Sequence, residues 1–493
     1  MKNFMLAVCA LVTLGACAEE PPGDPGVAEL QLAAPDDPPV GDDLLDRLHA
    51  IPGLTVVEEL PVPNLPDARF FSMTYTQPID HLRPWAGTFE QRVTLLHRDT
   101  SKPVVLFTTG YDLPILPFLA EPTRIVEGNQ IAVEERFFVP SRPVPTDWSK
   151  LNIFQAASDH HRVVKAFRRL YGAPWVSTGH SKGGMTSIYH RRFFPADVVA
   201  TVAYVAPQDT FDDEDSRYQT FLDHVGNDPA CRAALLAVQR QALLRRDEML
   251  AMLSAYAAEN GFTFTHLDLE QSLESAVLDL YWTFWQYGKQ ADCPNVPPAD
   301  APTADIFKFM DDTVYFGFYT DQGLEPYIPY YYQAATELGS PAAPERDLLD
   351  LLHYPGFFGA RAFVPAEIPV RFHPLAMLDI DLWVRLFGRR LLFVYGSNDP
   401  WSAEPFELGP GTRDSYVYTV AGGNHGSVIG RLPLSERYEA ANRLRAWVNL
   451  PPLTPPPPPP QGASSKAAAA PAPEAFAPVS EDLDPSLWRR PRL

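Results

Sequence analysis

Residues 174–186 read Pro174-Trp175-Val176-Ser177-Thr178-Gly179-His180-Ser181-Lys182-Gly183-Gly184-Met185-Thr186. The apolar run up to Thr178 predicts a short buried strand, and the stretch from Met185 to Arg191 predicts a helix. Between them stands Gly-x-Ser-x-Gly. A strand, a tight turn with a serine at its apex and a helix make a nucleophile elbow. The turn holds the serine backbone under strain, and side chains two residues to either side would collide with the strand or the helix. The hydroxyl is thereby pushed out above the carboxyl end of the sheet. The backbone N–H of Lys182, at the helix start, is then aimed at a developing oxyanion. Because Gly-x-Ser-x-Gly also occurs in turns without chemistry, its surroundings decide its meaning.

Working outward, residues 69–77 and 88–97 alternate apolar and polar side chains and predict antiparallel strands at the start of the sheet. Residues 103–111 predict a central strand ending in a glycine turn, after which the backbone N–H of Tyr111 is the second oxyanion donor. Residues 131–138 predict a further strand that ends in charge at Glu134 and Glu135, and Leu151–Leu170 a helix that starts near Asp147-Trp148-Ser149-Lys150. Residues 198–207 predict a β-branched strand. This alternation from 100 to 207 argues for a parallel α/β sheet. From 209 to 380 it stops. Residues 228–259 and 269–287 read as helices, and aromatic residues are dense, Trp285 and Tyr331 among them. Part of that density is assigned to a substrate pocket, with Trp285 and Tyr331 as binding residues. Strands resume at 390–396 and 415–420, and a last helix covers about 434–449. The expected fold is therefore an α/β-hydrolase sheet in two parts, 44–208 and 381–450, with a large helical cap, 209–380, inserted between them.

The partners of Ser181 follow from chain order. A nucleophilic serine needs a base, and the base needs an acid to hold its tautomer. In α/β-hydrolases that order is Ser, Asp, His. Asp399 stands in Gly396-Ser397-Asn398-Asp399-Pro400-Trp401, and His425 in Gly422-Gly423-Asn424-His425-Gly426, each directly after a predicted strand. Asp209 and Asp212 precede the cap rather than follow a late strand. His180 lies inside the elbow, and His160 and His161 read as helix-surface residues.

The ends of the chain read differently. Lys2 followed by the apolar run Phe4–Leu14 is a targeting segment too short to span a bilayer. Leu14-Gly15-Ala16-Cys17 resembles a bacterial lipobox, so residues 1–17 are read as a signal peptide with lipidation at Cys17, plain secretion being the alternative. Residues 18–43 read as a flexible tether and 451–493 as a disordered Pro/Ala-rich tail. Processing leaves Cys231 and Cys293 as an even pair in an exported protein, hence a disulfide. No CxxC or HExxH spacing appears, so neither a metal nor another cofactor is expected. A net charge of −21 argues against nucleic acid as a partner. Membrane contact is expected only through the N-terminal lipid.

Several motifs together resemble the bacterial secreted prolyl tri-/tetrapeptidyl aminopeptidases, which are distantly similar to prolyl carboxypeptidase and dipeptidyl peptidase II. They are Glu134-Glu135-Arg136-Phe137-Phe138 with Ser141-Arg142-Pro143, Ser181-Lys182-Gly183-Gly184-Met185-Thr186, Tyr189-His190-Arg191-Arg192-Phe193-Phe194-Pro195, Phe284-Trp285-Gln286-Tyr287, Pro329-Tyr330-Tyr331-Tyr332-Gln333, and Asn398-Asp399-Pro400-Trp401. The resemblance covers about 45–450. It implies release of short peptides from a free N-terminus, with proline before the scissile bond. Such an enzyme needs a carboxylate for the substrate ammonium, and Glu134 or Glu135 is the expected one. An esterase or lipase on the same scaffold, or a lipid-anchored binding protein with a dead site, are the other readings.

Overall fold

The computed structural model describes residues 43–63, 65–211, 215–455 and 474–476. The chain divides into two compact units, Met1–Arg47 and Leu48–Leu493. The first contributes only residues 43–47 to the description, and a helix starts at Leu44, where the folded part was expected to begin. The targeting segment, Cys17, most of the tether and Asp212 lie outside the described residues. So does the tail except 451–455 and 474–476. Within the stretch read as disordered, Phe476 is buried against Tyr438, ring centroids 5.3 Å apart, with the Arg437 guanidinium over its ring. An aromatic ring among alanines and prolines has much to gain from leaving water.

Nine strands form one sheet: β1 Leu54–Leu60, β2 Arg69–Pro78, β3 Thr88–His97, β4 Val104–Thr108, β5 Asn129–Val133, β6 Trp175–His180, β7 Ala200–Tyr204, β8 Leu391–Gly396 and β9 Tyr416–Val420. Their order is β1-β2-β3-β5-β4-β6-β7-β8-β9. The β1–β2, β2–β3 and β3–β5 pairings are antiparallel and every pairing from β5 to β9 is parallel. Strands β4, β5, β7 and β8 are buried at every residue, as parallel strands covered on both faces must be. On one face Ala203, Leu391 and Phe393 pack with Ile188 of helix Lys182–Phe193 and Ile380 of helix Leu375–Phe387. On the other, Val202, Leu392 and Val394 pack with Ile125 and with Leu444 of helix Leu434–Trp447. The chain steps from β4 outward to β5 and back to β6, so the direction of winding reverses at β4. Crevices at such a reversal, beyond the carboxyl ends of the strands, are where open α/β sheets place their ligands.

Three boundaries differ from expectation. β5 stops at Val133, and Glu134–Phe138 form a buried loop in which Phe137 has φ 73°. Apolarity alone does not separate a strand from a buried loop. The helix expected from 151 runs Ile153–Phe167 and is capped by Asn152, whose side chain accepts from the Gln155 N–H; Asp147 caps the preceding turn Trp148–Lys150 instead. The helix expected at 228–259 is two, Pro229–Leu244 and Arg246–Asn260, broken at Arg245.

The region between β7 and β8 is helical among the described residues, and its longest helix is Leu269–Tyr287, opened by a capping box of Asp268 and Gln271. Its core gathers Leu273, Val277, Leu280, Met310, Phe316 and Tyr331. Cys231 and Cys293 are joined in a disulfide. Among the described residues no helix is long and apolar enough to cross a membrane.

Candidate active site

Ser181 sits between β6 and helix Lys182–Phe193 with φ 54° and ψ −129°. A non-glycine residue rarely adopts this conformation, and it persists only where the surroundings enforce it. Here they do. The Ser181 N–H donates to the Tyr204 carbonyl of the neighbouring strand at 2.9 Å. A Cβ on Gly179 would lie 2.3 Å from the Gly183 carbonyl carbon, and one on Gly183 would lie 2.4 Å from the Thr108 carbonyl oxygen. Both glycines are therefore required by close backbone approach, as the motif implied.

Asp399 follows β8 and is wholly buried. Its carboxylate accepts from the Trp401 N–H at 3.2 Å, from Ser402 Oγ at 3.0 Å and from His425 Nδ1 at 2.9 Å. That bond fixes the His425 tautomer and leaves Nε2 as the basic nitrogen. The three residues thus stand at the carboxyl ends of β6, β8 and β9. The His425 loop is also fastened to the cap. Its N–H donates to the Gln286 carbonyl at 2.9 Å, and Asn424 Nδ2 donates to the carbonyls of Tyr287 and Gly288 at 2.9 and 3.0 Å. A helix end leaves these carbonyls without intrahelical partners. The sequence did not reveal this use of them. Tyr287 and Trp401 flank the imidazole, with ring centroids 6.1 and 6.4 Å away.

The glycine turn after β4 lies against the elbow. A Cβ on Gly110 would meet Gly183 N at 2.5 Å. Buried Lys182 Nζ donates to the Gly110 carbonyl at 2.6 Å. The Tyr111 N–H, named from the sequence as an oxyanion donor, contacts Thr109 Oγ1 of its own turn at 3.1 Å, so that hydroxyl competes with any oxyanion for it.

Glu134 and Glu135 are both buried, with different surroundings. Glu134 accepts from the Leu113 N–H at 2.9 Å, Arg92 at 3.2 Å, and the N–H and hydroxyl of Ser141 at 3.1 and 2.5 Å. Burial pushes its pKa up to about 7 despite these donors. Its acceptor capacity is filled by the protein, which ties the oxyanion loop to the loop after β5. Glu135 has Lys182 Nζ at 3.6 Å, and neither carboxylate oxygen has a hydrogen-bond partner.

Trp285 and Tyr331, the aromatic residues named from the sequence for substrate binding, are both fully buried. Trp285 is fully enclosed with Phe284 and Cys231, and Tyr331 stacks on Phe363 at 4.6 Å. Helical aromatic spacing reports burial and not what does the burying. His160 is likewise buried rather than on the surface, bonded through Nδ1 to the Ala156 carbonyl. His161 and His190 share Asp197 Oδ2 at 2.7 and 2.9 Å. Burial pushes His180 down to about 3, with His425 and Arg124 adding repulsion. Asp209, the other rival acid, is buried and close to Gly339.

One residue that sequence reading passed over joins two sides of the site. Glu121 accepts from Tyr204 Oη at 2.7 Å and from the N–H groups of Ile429 and Gly430 at 2.9 and 2.6 Å. Tyr204 supports the elbow, and Ile429 and Gly430 continue the His425 loop. Burial raises the Glu121 pKa against these donors. In the sequence Ala120-Glu121-Pro122 looks like an ordinary helix start. Among the described residues no cluster of metal-ligating side chains occurs.

The arrangement can be compared with known proteins. A profile of the family described as PS-10 peptidase S37 matches residues 37–467. The prolyl tri/tetrapeptidyl aminopeptidase of Streptomyces mobaraensis is 52% identical over 413 residues, 83% of this chain and 86% of the relative. Among solved structures, a proline iminopeptidase of Mycobacterium smegmatis is 15% identical, with 76% of this chain and 99% of that one covered, at a TM-score of 0.33. Epoxide hydrolase I of potato is 12% identical, with 73% and 96% covered, at a TM-score of 0.32. Scores this low carry no argument about function.

Proposed function

Since the chain belongs to the PS-10 peptidase S37 family, it is a serine peptidase on an α/β-hydrolase scaffold, and we propose that it releases tri- and tetrapeptides from free N-termini, cutting after proline. Ser181 Oγ attacks the carbonyl carbon, and His425 Nε2 takes its proton and returns it to the leaving amine. Asp399 holds Nδ1 and stabilises the imidazolium. Water then repeats the cycle on the acyl-enzyme. Lys182 N–H is the oxyanion donor with the better claim, because the Tyr111 N–H is shared with Thr109. The observation that carries this reading is the buried Asp399 bonded to His425 behind a serine held at φ 54°. Tyr111, Tyr287, Tyr330 and Trp401 supply aromatic surface for a proline ring: Tyr330 lies 5.6 Å from Tyr111, and the other two flank His425.

The test is a panel of Ala-Ala-Pro and Ala-Pro anilides, with free and blocked N-termini, beside short acyl esters. Cleavage confined to free-amine proline anilides is expected. Cleavage of esters alone would make the chain an esterase with the same triad, and failure of Ser181 to react with a fluorophosphonate would make it a binding protein. We further propose export, which the Cys231–Cys293 disulfide supports. Anchoring by a lipid on Cys17 is the narrower form of that proposal. Cys17→Ser should then move the protein from the membrane fraction to the soluble one, and an unchanged distribution would refute the anchor.

A further inference from the structure

Helix Leu269–Tyr287 carries an unusual buried face. At 100° per residue, Ser275, Asp279, Trp282, Thr283 and Gln286 fall within an arc of about 100°. All five are at most 5% exposed. Ser275 Oγ, Trp282 Nε1, Thr283 Oγ1 and Gln286 Oε1 are buried without a hydrogen-bond partner. Four such atoms on one stripe of one helix are costly unless something else completes them.

The stripe runs away from the catalytic histidine. At its near end the Gln286 carbonyl accepts the His425 N–H, and Trp282 packs edge-on against Trp401, two residues past Asp399, at 5.1 Å. Two turns from Gln286, Asp279 Oδ2 accepts from Tyr319 Oη at 2.7 Å, and Ser275 stands one turn beyond it. Burial pushes the Tyr330 pKa well up, with Tyr111, Tyr287 and the Asp279 charge adding to it, and the Tyr330 ring lies 5.6 Å from Tyr111 of the oxyanion turn. From Asp279 to Gln286 the helix advances about 10 Å. Three residues of extended peptide also span about 10 Å, two span about 7 Å and four about 13 Å.

We propose that this face of the helix is the wall along which the substrate residues before the scissile bond are laid, with the Asp279 carboxylate receiving their free ammonium. The proposal rests on the aminopeptidase reading and adds the subsite that sets peptide length. The orphaned Thr283 hydroxyl and Gln286 amide oxygens, which lie between Asp279 and the His425 loop, accept substrate N–H groups, and the Trp282 indole N–H donates to a substrate carbonyl. Glu135, the competing carboxylate, lies beside Lys182, whose charge already offsets it.

The experiment compares wild type, Asp279→Asn and Glu135→Gln on Ala-Ala-Pro anilide with a free and with an acetylated N-terminus, alongside the fluorophosphonate labelling rate of Ser181. Asp279→Asn should lose about 100-fold in kcat/KM on the free-amine substrate, mostly through KM, as expected when one partner of a buried charge pair is removed. Its rate on the acetylated substrate and its labelling rate should stay within about twofold of wild type. Retention of the free-to-acetylated preference in Asp279→Asn, or its collapse in Glu135→Gln, would overturn the assignment. Should Asp279→Asn not fold, Thr283→Val substitutes: about a fivefold loss on the tripeptide with labelling unchanged is expected, one lost hydrogen bond being worth about 1 kcal/mol. Equal tripeptide rates in Thr283→Val would count against the wall. If wild type cleaves no free-amine proline anilide, the aminopeptidase reading itself falls, before any variant is compared.

Discussion

The sheet and the cap convey function differently. In the sheet every residue of the proposed triad stands in a short loop directly after a parallel strand, and each loop has its own local signature. Gly179 and Gly183 flank Ser181, Asn398 and Pro400 flank Asp399, and Gly423 and Gly426 surround His425. In the cap the same aromatic density occurs in fully enclosed residues, such as Trp285 and Tyr331, and in residues beside the site, such as Tyr287, next to His425, and Tyr330, next to Tyr111. Backbone geometry at a strand end is imposed by neighbours a few residues away. The environment of a helix face is imposed by elements a hundred residues away.

The sharpest way to break this comparison is Ser181→Ala. Turnover of the tripeptide anilide should fall by about 10⁴-fold or more, while the thermal midpoint stays close to wild type because the substitution removes a single oxygen and leaves the backbone bond to Tyr204 in place. Residual turnover near wild type would remove the sheet's claim to the chemistry. Next in size is the staple of the cap. Replacing Cys231 and Cys293 by serine opens a loop of 62 residues and should cost about 2–4 kcal/mol in denaturant unfolding. If the regions are as separate as their signatures, protection from amide exchange will drop first in the cap helices and only later in β4–β8.

Glu121→Gln probes the joint within the sheet half. A neutral amide brings a donor to a place where Tyr204, Ile429 and Gly430 all donate. We expect kcat to fall about tenfold with KM nearly unchanged, the cost of roughly one hydrogen bond's worth of misplacement. Gly430→Ala, whose Cβ would meet Glu121 Oε1 at 2.9 Å, should act in the same direction. A rise in KM at constant kcat would instead assign Glu121 to binding.

The last probe is a pH slope where cap and sheet meet. Burial pushes Glu337 up from 4.5 to about 7, while its carboxylate accepts the Ile153 N–H at 2.8 Å and feels Lys182. The folded state therefore retains a proton that the unfolded state has released between about pH 4.5 and 7. Stability must fall as pH rises through that window. Glu337→Gln should flatten this part of the curve of unfolding free energy against pH relative to wild type, and parallel curves would refute it.

Much of this was legible in the chain. The elbow, the order Ser181, Asp399, His425, the parallel sheet and the Cys231–Cys293 pair follow from spacing, strand periodicity and cysteine count, all of which act over short range or by elimination. The boundary at Val133 was not legible, because Ile131–Phe138 is equally buried whether extended or looped. The partners of Glu134 and Glu135 were not legible either. Adjacent carboxylates in one loop look alike in sequence, yet one faces Ser141 and Arg92 and the other faces Lys182.

The sequence by itself determined which atoms could do chemistry and the order in which the sheet presents them, since a strained turn, a buried strand and a capped helix are set by near neighbours. Only the tertiary structure decided what surrounds those atoms. It placed Glu121 beneath the His425 loop, the Gln286 carbonyl on the His425 N–H, and the Ser275–Gln286 stripe beside Trp401. The physical reason is range. Local conformation is a sum over adjacent residues, whereas burial and hydrogen-bond completion depend on which distant segments arrive at the same place.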